Sequence, residues 1–284
     1  MKNQFCVILP AAGRSTRFKG LRHKKQFTLL DDRAVWLHAV SPFLQMDEVK
    51  QVILVISPED REDFGIRFQA DAMILGITVV DGGKERCDSI KNAIPFIDPA
   101  CDYVAVHDAV RPCITQERIR EVFRVARHYH AACLAIPVRD TIKRVKGNAK
   151  GRSAEKIGSE ARLTLENLIP DTNDLEVDSA ADDGRILETL NRDGLWYMQT
   201  PQVFRRDLFE KVYTESDSTL SKTITDDATL FEKAGIPVYV VEGSSRNIKI
   251  TTQEDLRLAS AILKSLPQQK SKFSHPFADE DKFF

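Results

Sequence analysis

The sequence predicts an α/β fold: one domain built on a mostly parallel, twisted sheet flanked by helices. Two observations carry that expectation. Short runs rich in Val and Ile recur along the chain, each bounded by turn residues. Between them lie longer stretches whose apolar residues recur at helical spacing. Strands alternating with amphipathic helices need crossover connections, and crossovers cover both faces of a parallel sheet. In such sheets ligands bind beyond the carboxyl ends of the strands. Chemistry is therefore expected in the loops that follow each run.

The first run, Phe5–Leu9, passes straight into Pro10-Ala11-Ala12-Gly13-Arg14-Ser15-Thr16-Arg17-Phe18. Small residues after a strand let the backbone approach a ligand, and their N–H groups can cradle phosphate. The spacing matches neither the P-loop nor the dinucleotide fingerprint, and a tight turn with solvated arginines would look the same. Arg22-His23-Lys24-Lys25-Gln26-Phe27 adds positive charge, as an ordinary basic loop also would. The runs Val52–Ile56 and Ile77–Val80 follow, the second leading through Gly82-Gly83-Lys84-Glu85-Arg86-Cys87-Asp88-Ser89 into a helix. Tyr103–Val106 precedes His107-Asp108-Ala109-Val110-Arg111-Pro112, and Ile119, Val122, Phe123 and Ala126 then mark one helix face. Cys133–Ile136 precedes Pro137-Val138-Arg139-Asp140-Thr141-Ile142-Lys143. After a last run, Val238–Val241, Asn247-Ile248-Lys249-Ile250-Thr251 leads into a helix, with Thr251 and Glu254 spaced as a capping box ahead of Leu256, Ala259, Leu263 and Leu266.

From about Val145 to Arg192 the pattern breaks into a polar stretch, basic first and acidic after. A loop this long inside a compact domain is functional or disordered. It reads as an arm, about 142–195, projecting from a domain of residues 1–266, with a loosely ordered tail at 267–284. The formal net charge of −1 argues against a nucleic-acid partner. No apolar run is long enough for a membrane span or a signal-peptide core, so a soluble protein is expected. The five scattered cysteines lack metal or disulfide spacing and suit the reducing cytoplasm. The six histidines show no ligand spacing; His128 and His130 stand two apart on an expected helix and so face different ways.

Taken together, P-A-A-G with Arg17 and Lys25-Gln26, G-G-x-E-R-x-D-S, H-D-A-V-R-P, P-V-R-D-T-x-K, W-x-x-Q-T-P-Q-x-F, T-D-D-A and N-I-K-I-T resemble the 2-C-methyl-D-erythritol 4-phosphate cytidylyltransferase family. The likeness runs from Val7 to Ala261, apart from the arm. It implies a Rossmann-like nucleotidyltransferase fold and transfer of CMP from CTP to a polyol phosphate, with Mg²⁺ as cofactor. It implies that Arg17 and Lys25 stabilise the transition state. Ala11, Ala12, Gly13, Gly83, Asp88 and Ser89 would bind the nucleotide, and Asp108 would lie near the nucleotide and the metal. Thr141, Arg192 and Lys249 would hold the methylerythritol phosphate, the last two positioning it for attack. It also implies a homodimer in which the β-arm brings Thr141 and Arg192 to the partner's site. The chain departs from the pattern at Ser15, where a small or glycine residue is usual, at Arg246, which fills a family acidic position that is often filled otherwise, and in its longer arm.

The residue types suit such a reaction. The nucleophile is already a phosphate oxyanion, so the need is to bring an anion up to a polyanion and offset the charge at the α-phosphorus. Arg grips two phosphate oxygens at once and Lys acts as a point charge. The alternatives are a ribitol 5-phosphate cytidylyltransferase, which would share the CTP half of the site, and a non-catalytic nucleotide-sensing subunit, which would have no need of Arg17, Lys25 and Lys249.

Overall fold

The computed structural model describes residues 3–13, 24–146, 186–216, 224 and 226–267. In chain order the elements are β1 (Phe5–Pro10), the two-residue strands β2 (Leu29–Leu30) and β3 (Arg33–Ala34), α1 (Val35–Leu44), β4 (Val49–Ile56), α2 (Arg61–Ile74), β5 (Thr78–Asp81) and α3 (Arg86–Ala93). They continue with β6 (Tyr103–Val106), α4 (Gln116–Tyr129), β7 (Ala131–Pro137), β8 (Ile142–Val145), β9 (Ile186–Leu190), β10 (Trp196–Arg205), α5 (Arg206–Glu215), α6 (Ala228–Lys233), β11 (Tyr239–Glu242) and α7 (Gln253–Ser265).

The chain divides into two compact units, Met1–Ile136 with Tyr197–Phe284, and Pro137–Trp196. The first holds a seven-stranded sheet in the order β11-β7-β10-β6-β1-β4-β5. β1 pairs parallel with β4 on one side and β6 on the other, β4 with β5, and β7 with β11. All six runs expected from the sequence are strands of this sheet. β10 is the addition, and it lies antiparallel to β6. Pro201 within it has no N–H to give to a ladder, and a proline argues against a central strand when only sequence is read. The second unit carries the antiparallel hairpin of β8 and β9. Most of the expected arm, residues 147–185, and all but Pro267 of the expected tail lie outside the described residues.

Alternation along β1 shows how the core is divided. Phe5, Val7 and Leu9 point into one cluster with Trp36 and Phe43 of α1, Phe64 and Phe68 of α2 and Val122 and Phe123 of α4. Cys6 and Ile8 point into the other, with Ile90 of α3, Phe209 and Tyr213 of α5 and Phe231 of α6. A strand buried on both faces reads as a continuous apolar run, which is why these strands were visible in the sequence. All five cysteines are buried free thiols. Burial pushes Cys101 up to about 11 and Cys113 and Cys133 up to about 12, and raises Cys6 and Cys87 as well. Among the described residues no helix is long and apolar enough to cross a membrane.

Two local expectations need correction. The cap of α7 is built one residue later than the spacing suggested: Thr252 accepts from the Asp255 N–H at 3.2 Å, and the Asp255 carboxylate accepts from the Thr252 N–H at 2.8 Å. Thr251 instead gives both its N–H and its hydroxyl to the same carboxylate. His130 is not helical; it terminates α4 in the left-handed region at φ 71°.

An ion pair ties α3 to α6. Both Nη atoms of Arg86 reach the Asp227 carboxylate, at 2.8 and 2.6 Å, and the Tyr213 hydroxyl donates to the same group. Asp227 is fully buried, so its removal strands a guanidinium beside an apolar cluster. Asp227→Ala should lower the unfolding free energy by about 3–5 kcal/mol in urea titrations, near the low end because Arg86 keeps a path to solvent. An unchanged denaturation midpoint would remove the pair from any role in holding α6.

Candidate active site

The parallel strands β6, β1, β4 and β5 end side by side, and the loops beyond their carboxyl ends enclose a cleft of about 610 Å³. β1 lies between β4 and β6, where connections leave the sheet in both directions. That is the switch point at which α/β folds bind ligands.

The first wall follows β1. The Ala11 N–H still pairs with the Val55 carbonyl at 2.7 Å, and the chain then leaves the sheet. Among the described residues, neither the Ala12 nor the Gly13 N–H finds an acceptor, which leaves two donors beside the cleft. Lys25 opens a single 3₁₀ turn, Lys25–Phe27, at the same wall. Phe27 packs against Phe64 and Phe68 of α2 with ring centroids 5.9 and 5.8 Å away. Lys24 pairs with Asp60 at 2.8 Å, and the Gln26 amide donates to the Ala11 carbonyl at 2.6 Å. Apolar packing, an ion pair and a hydrogen bond thus fix the turn that presents Lys25.

The second wall is Gly82–Ser89. A Cβ on Gly82 would come within 2.7 Å of the Ala12 Cβ, and one on Gly83 within 2.4 Å of the Asp88 Cβ. Glycine at 82 lets the two loops approach this closely, and glycine at 83 lets the second wall turn tightly onto the start of α3. Asp88 accepts from the Glu85 N–H at 3.2 Å in a reciprocal cap of α3. The Ser89 hydroxyl accepts from Gly83 and donates to the Glu85 carbonyl.

The third wall follows β6. His107 is fully buried, with Nε2 3.1 Å from the Arg111 carbonyl and Nδ1 3.0 Å from the Thr200 hydroxyl. A carbonyl only accepts, so Nε2 carries the proton, Nδ1 accepts from Thr200, and Thr200 Oγ1 in turn accepts from the Asp108 N–H at 3.0 Å. Burial pushes the His107 imidazole down to about 4, which keeps the ring neutral, and the Arg111 carbonyl selects the tautomer. The Asp108 carboxylate accepts through Oδ2 from Arg111 Nε at 3.2 Å and Lys249 Nζ at 3.0 Å. Burial works against its charge, but Lys249, Arg86 and Arg111 outweigh it and hold the carboxyl well below the usual range.

Of the residues expected at a site, Ala11, Ala12, Gly13, Lys25, Gly83, Ser89, Asp108 and Lys249 all line this cleft. Asp88 does not line it and serves through the α3 cap. Thr141 and Arg192 belong to the Pro137–Trp196 unit, where the Arg192 guanidinium donates to the Arg139 carbonyl. Arg17 lies outside the described residues.

Sequence reasoning passed over Gln26, Arg86, Thr200, Asp227 and Asn247 as working residues. Asn247 donates to the Thr200 carbonyl at 2.8 Å, and Arg111 donates to the Asn247 carbonyl at 2.7 Å. Each stands inside a recognised segment, but its partner lies up to 141 positions away, and the sequence does not display that pairing.

A family model described as 2-C-methyl-D-erythritol 4-phosphate cytidylyltransferase matches residues 5–157 and 170–265. A cytidylyltransferase of that name from Alkaliphilus metalliredigens is 35% identical over 90% of this chain and 92% of its own length. A protein from Desulfotalea psychrophila named as a bifunctional enzyme is 33% identical over 98% of this chain, which spans 61% of that longer relative. Among solved structures, the cytidylyltransferase of Francisella tularensis aligns over 92% of this chain and 100% of its own, at 27% identity and a TM-score of 0.67.

The buried imidazole makes a prediction for the ligand-free protein. His107 titrates near 4 when folded, below the unfolded value of about 6.5, so between these the unfolded chain binds the extra proton and stability falls with acidity. Burial acts on His38 in the same direction. Asp108 is shifted in the same direction, but its contribution is lost only as the pH falls below the ordinary carboxylate range. Urea titrations between pH 7 and 4.5 should therefore lose up to about 1.4 kcal/mol per pH unit through His107. His107→Gln should flatten that slope, and an unaltered slope would place the titration elsewhere.

Proposed function

Because the chain belongs to the 2-C-methyl-D-erythritol 4-phosphate cytidylyltransferase family, it is a nucleotidyltransferase, and we propose that the cleft is where it moves CMP from CTP to 2-C-methyl-D-erythritol 4-phosphate. Pyrophosphate is released, and the product serves non-mevalonate isoprenoid synthesis. The observation that supports this cleft as the site is its wall chemistry: Lys25 and Lys249 line one volume with Ala12 and Gly13, whose N–H groups have no acceptor among the described residues, and Gly82 lets the two loops meet closely.

An oxygen of the acceptor phosphate attacks the α-phosphorus, and the bond to the β-phosphate oxygen breaks. No proton need be removed from the nucleophile, so positioning and charge carry the catalysis. Lys25, together with Arg17, offsets charge at the triphosphate. Lys249 aligns the acceptor phosphate, its ammonium held at 3.0 Å by Asp108. The Ala11–Gly13 and Gly83–Ser89 loops hold the cytidine. We assign Mg²⁺ as cofactor. Asp108 Oδ1 takes no hydrogen bond from the described residues, and among these no group of three side chains could cage a metal. The ion would be held by that one oxygen and the nucleotide's own phosphates, as Mg²⁺ commonly is. When bound it supplies further charge neutralisation at the triphosphate. Buried free thiols suit a cytoplasmic setting.

We also propose a homodimer in which Thr141 and Arg192 serve the partner's site. The hairpin unit exposes Val145, Ile186 and Leu187, and a two-stranded hairpin has no core of its own to bury them.

Pyrophosphate release, measured for four nucleoside triphosphates against several polyol phosphates with Mg²⁺, should be fastest for CTP with methylerythritol phosphate. A preference for ribitol 5-phosphate would change the substrate and keep the reaction, and no release with any pair would point to a nucleotide-sensing subunit. Lys25→Ala should lower kcat by about 10²-fold while CTP binding weakens much less.

A mixing experiment addresses the dimer. Lys25→Ala and Arg192→Ala homodimers should each be nearly inactive. After subunit exchange, half the dimers are mixed, and each mixed dimer has one intact site. Activity should return to roughly a quarter of wild type for a closed two-fold dimer. A mixture that stays inactive after exchange is confirmed by mass spectrometry would mean that each site is built within one chain.

A further inference from the structure

Gln26 stands beside Lys25 in the chain and is only 1% exposed. Its Nε2 lies 2.6 Å from the Ala11 carbonyl oxygen and 3.4 Å from that of Gly13. Carbonyl oxygens only accept, so the atom facing them is the –NH₂ group, whose two hydrogens serve both. In a trans peptide the C=O and the following N–H point to opposite sides. Drawing the Ala11 carbonyl toward Gln26 therefore turns the Ala12 N–H away from it, and that N–H is one of the two donors without an acceptor among the described residues. From another direction the loop is confined by Gly82, where even a Cβ would meet Ala12 at 2.7 Å.

We propose that Gln26 is a positioning residue: its amide sets the peptide orientation of the Ala11–Gly13 loop and locks that loop to the turn carrying Lys25. Loop donors and ammonium then meet CTP as one unit, the loop at the cytidine and Lys25 at the triphosphate. This rests on reading the cleft as the CTP site. Gln26 itself touches no reacting atom; it acts through the loop and through Lys25.

Gln26→Glu tests the donor at nearly constant volume. Ionised, the new carboxylate faces two carbonyl oxygens and repels them; protonated, its O–H can again donate to Ala11. Burial raises a carboxyl pKa, which brings this change into the working pH range. At pH 8, kcat/KM for CTP should fall at least tenfold relative to wild type, and the ratio of variant to wild type should recover toward one by pH 6. Lys25, Glu59, Lys84, Glu85, Arg86, Asp108 and Lys249 also face this cleft. They are common to both proteins, so their titration cancels in the ratio.

Gln26→Met, which has no donor at any pH, should lose a similar factor at both. It also carries the test should Gln26→Glu fail to fold at pH 8, as judged by circular dichroism. Wild-type kcat/KM in Gln26→Met, or a Gln26→Glu ratio that does not change with pH, overturns the proposal. Failure of the functional reading looks different. If Lys25→Ala kept full activity while Gln26→Glu showed the pH-reversible loss, the role of Lys25 would fall and that of Gln26 in the loop would stand.

Discussion

A buried carboxylate must be paired, and much of this site follows from how Asp108 is paired. Taking such a charge from water costs several kcal/mol unless cations and donors compensate. Here Arg111 and Lys249 both meet Oδ2. Arg111 is in turn held by the Asn247 carbonyl, Asn247 donates to the Thr200 carbonyl, and the Thr200 hydroxyl accepts the Asp108 N–H. The chain of contacts closes on itself. Three segments far apart in sequence, around 107–112, 199–202 and 247–251, become one rigid corner. Lys249 stands at the cleft because Asp108 cannot remain there alone.

The opposite side of the cleft is fixed by different means. The approach of the two loops is set by the missing side chain of Gly82, and that of Gly83 lets its segment fold closely onto Asp88. Ion pairs fasten the segments that carry these loops, Arg86 to Asp227 and Lys24 to Asp60. One wall is thus positioned by electrostatic closure and the other by close packing. A site that must exclude water yet admit a polyanion gains from both, because preorganised donors cost no rearrangement when charge develops.

The sheet was legible because strands buried on both faces leave unbroken apolar runs, as in β1 and β6. The cleft was legible because its loops follow those strands directly. What stayed hidden needed distance. Asp227 reads as one acid among many until Arg86 is seen opposite it, and Gln26 as a polar residue in a basic loop until two carbonyls are seen against its amide. β10 was hidden by Pro201, a residue that argues locally against the strand it occupies. The cap of α7 was misread by one position because Thr251 and Thr252 are chemically alike and both bind Asp255.

The five buried thiols have a consequence for the protein's chemical life. Nucleophilic attack and oxidation both require a thiolate that solvent can reach, and here burial denies both the charge and the access. In the folded state, an enzyme with five cysteines therefore meets peroxide or an alkylating agent much as one with none would. Cys6, Cys87 and Cys101 sit in one core cluster on the same face, so their sulfurs become visible only when that cluster opens. Thiol modification of this chain would mark molecules that have already unfolded.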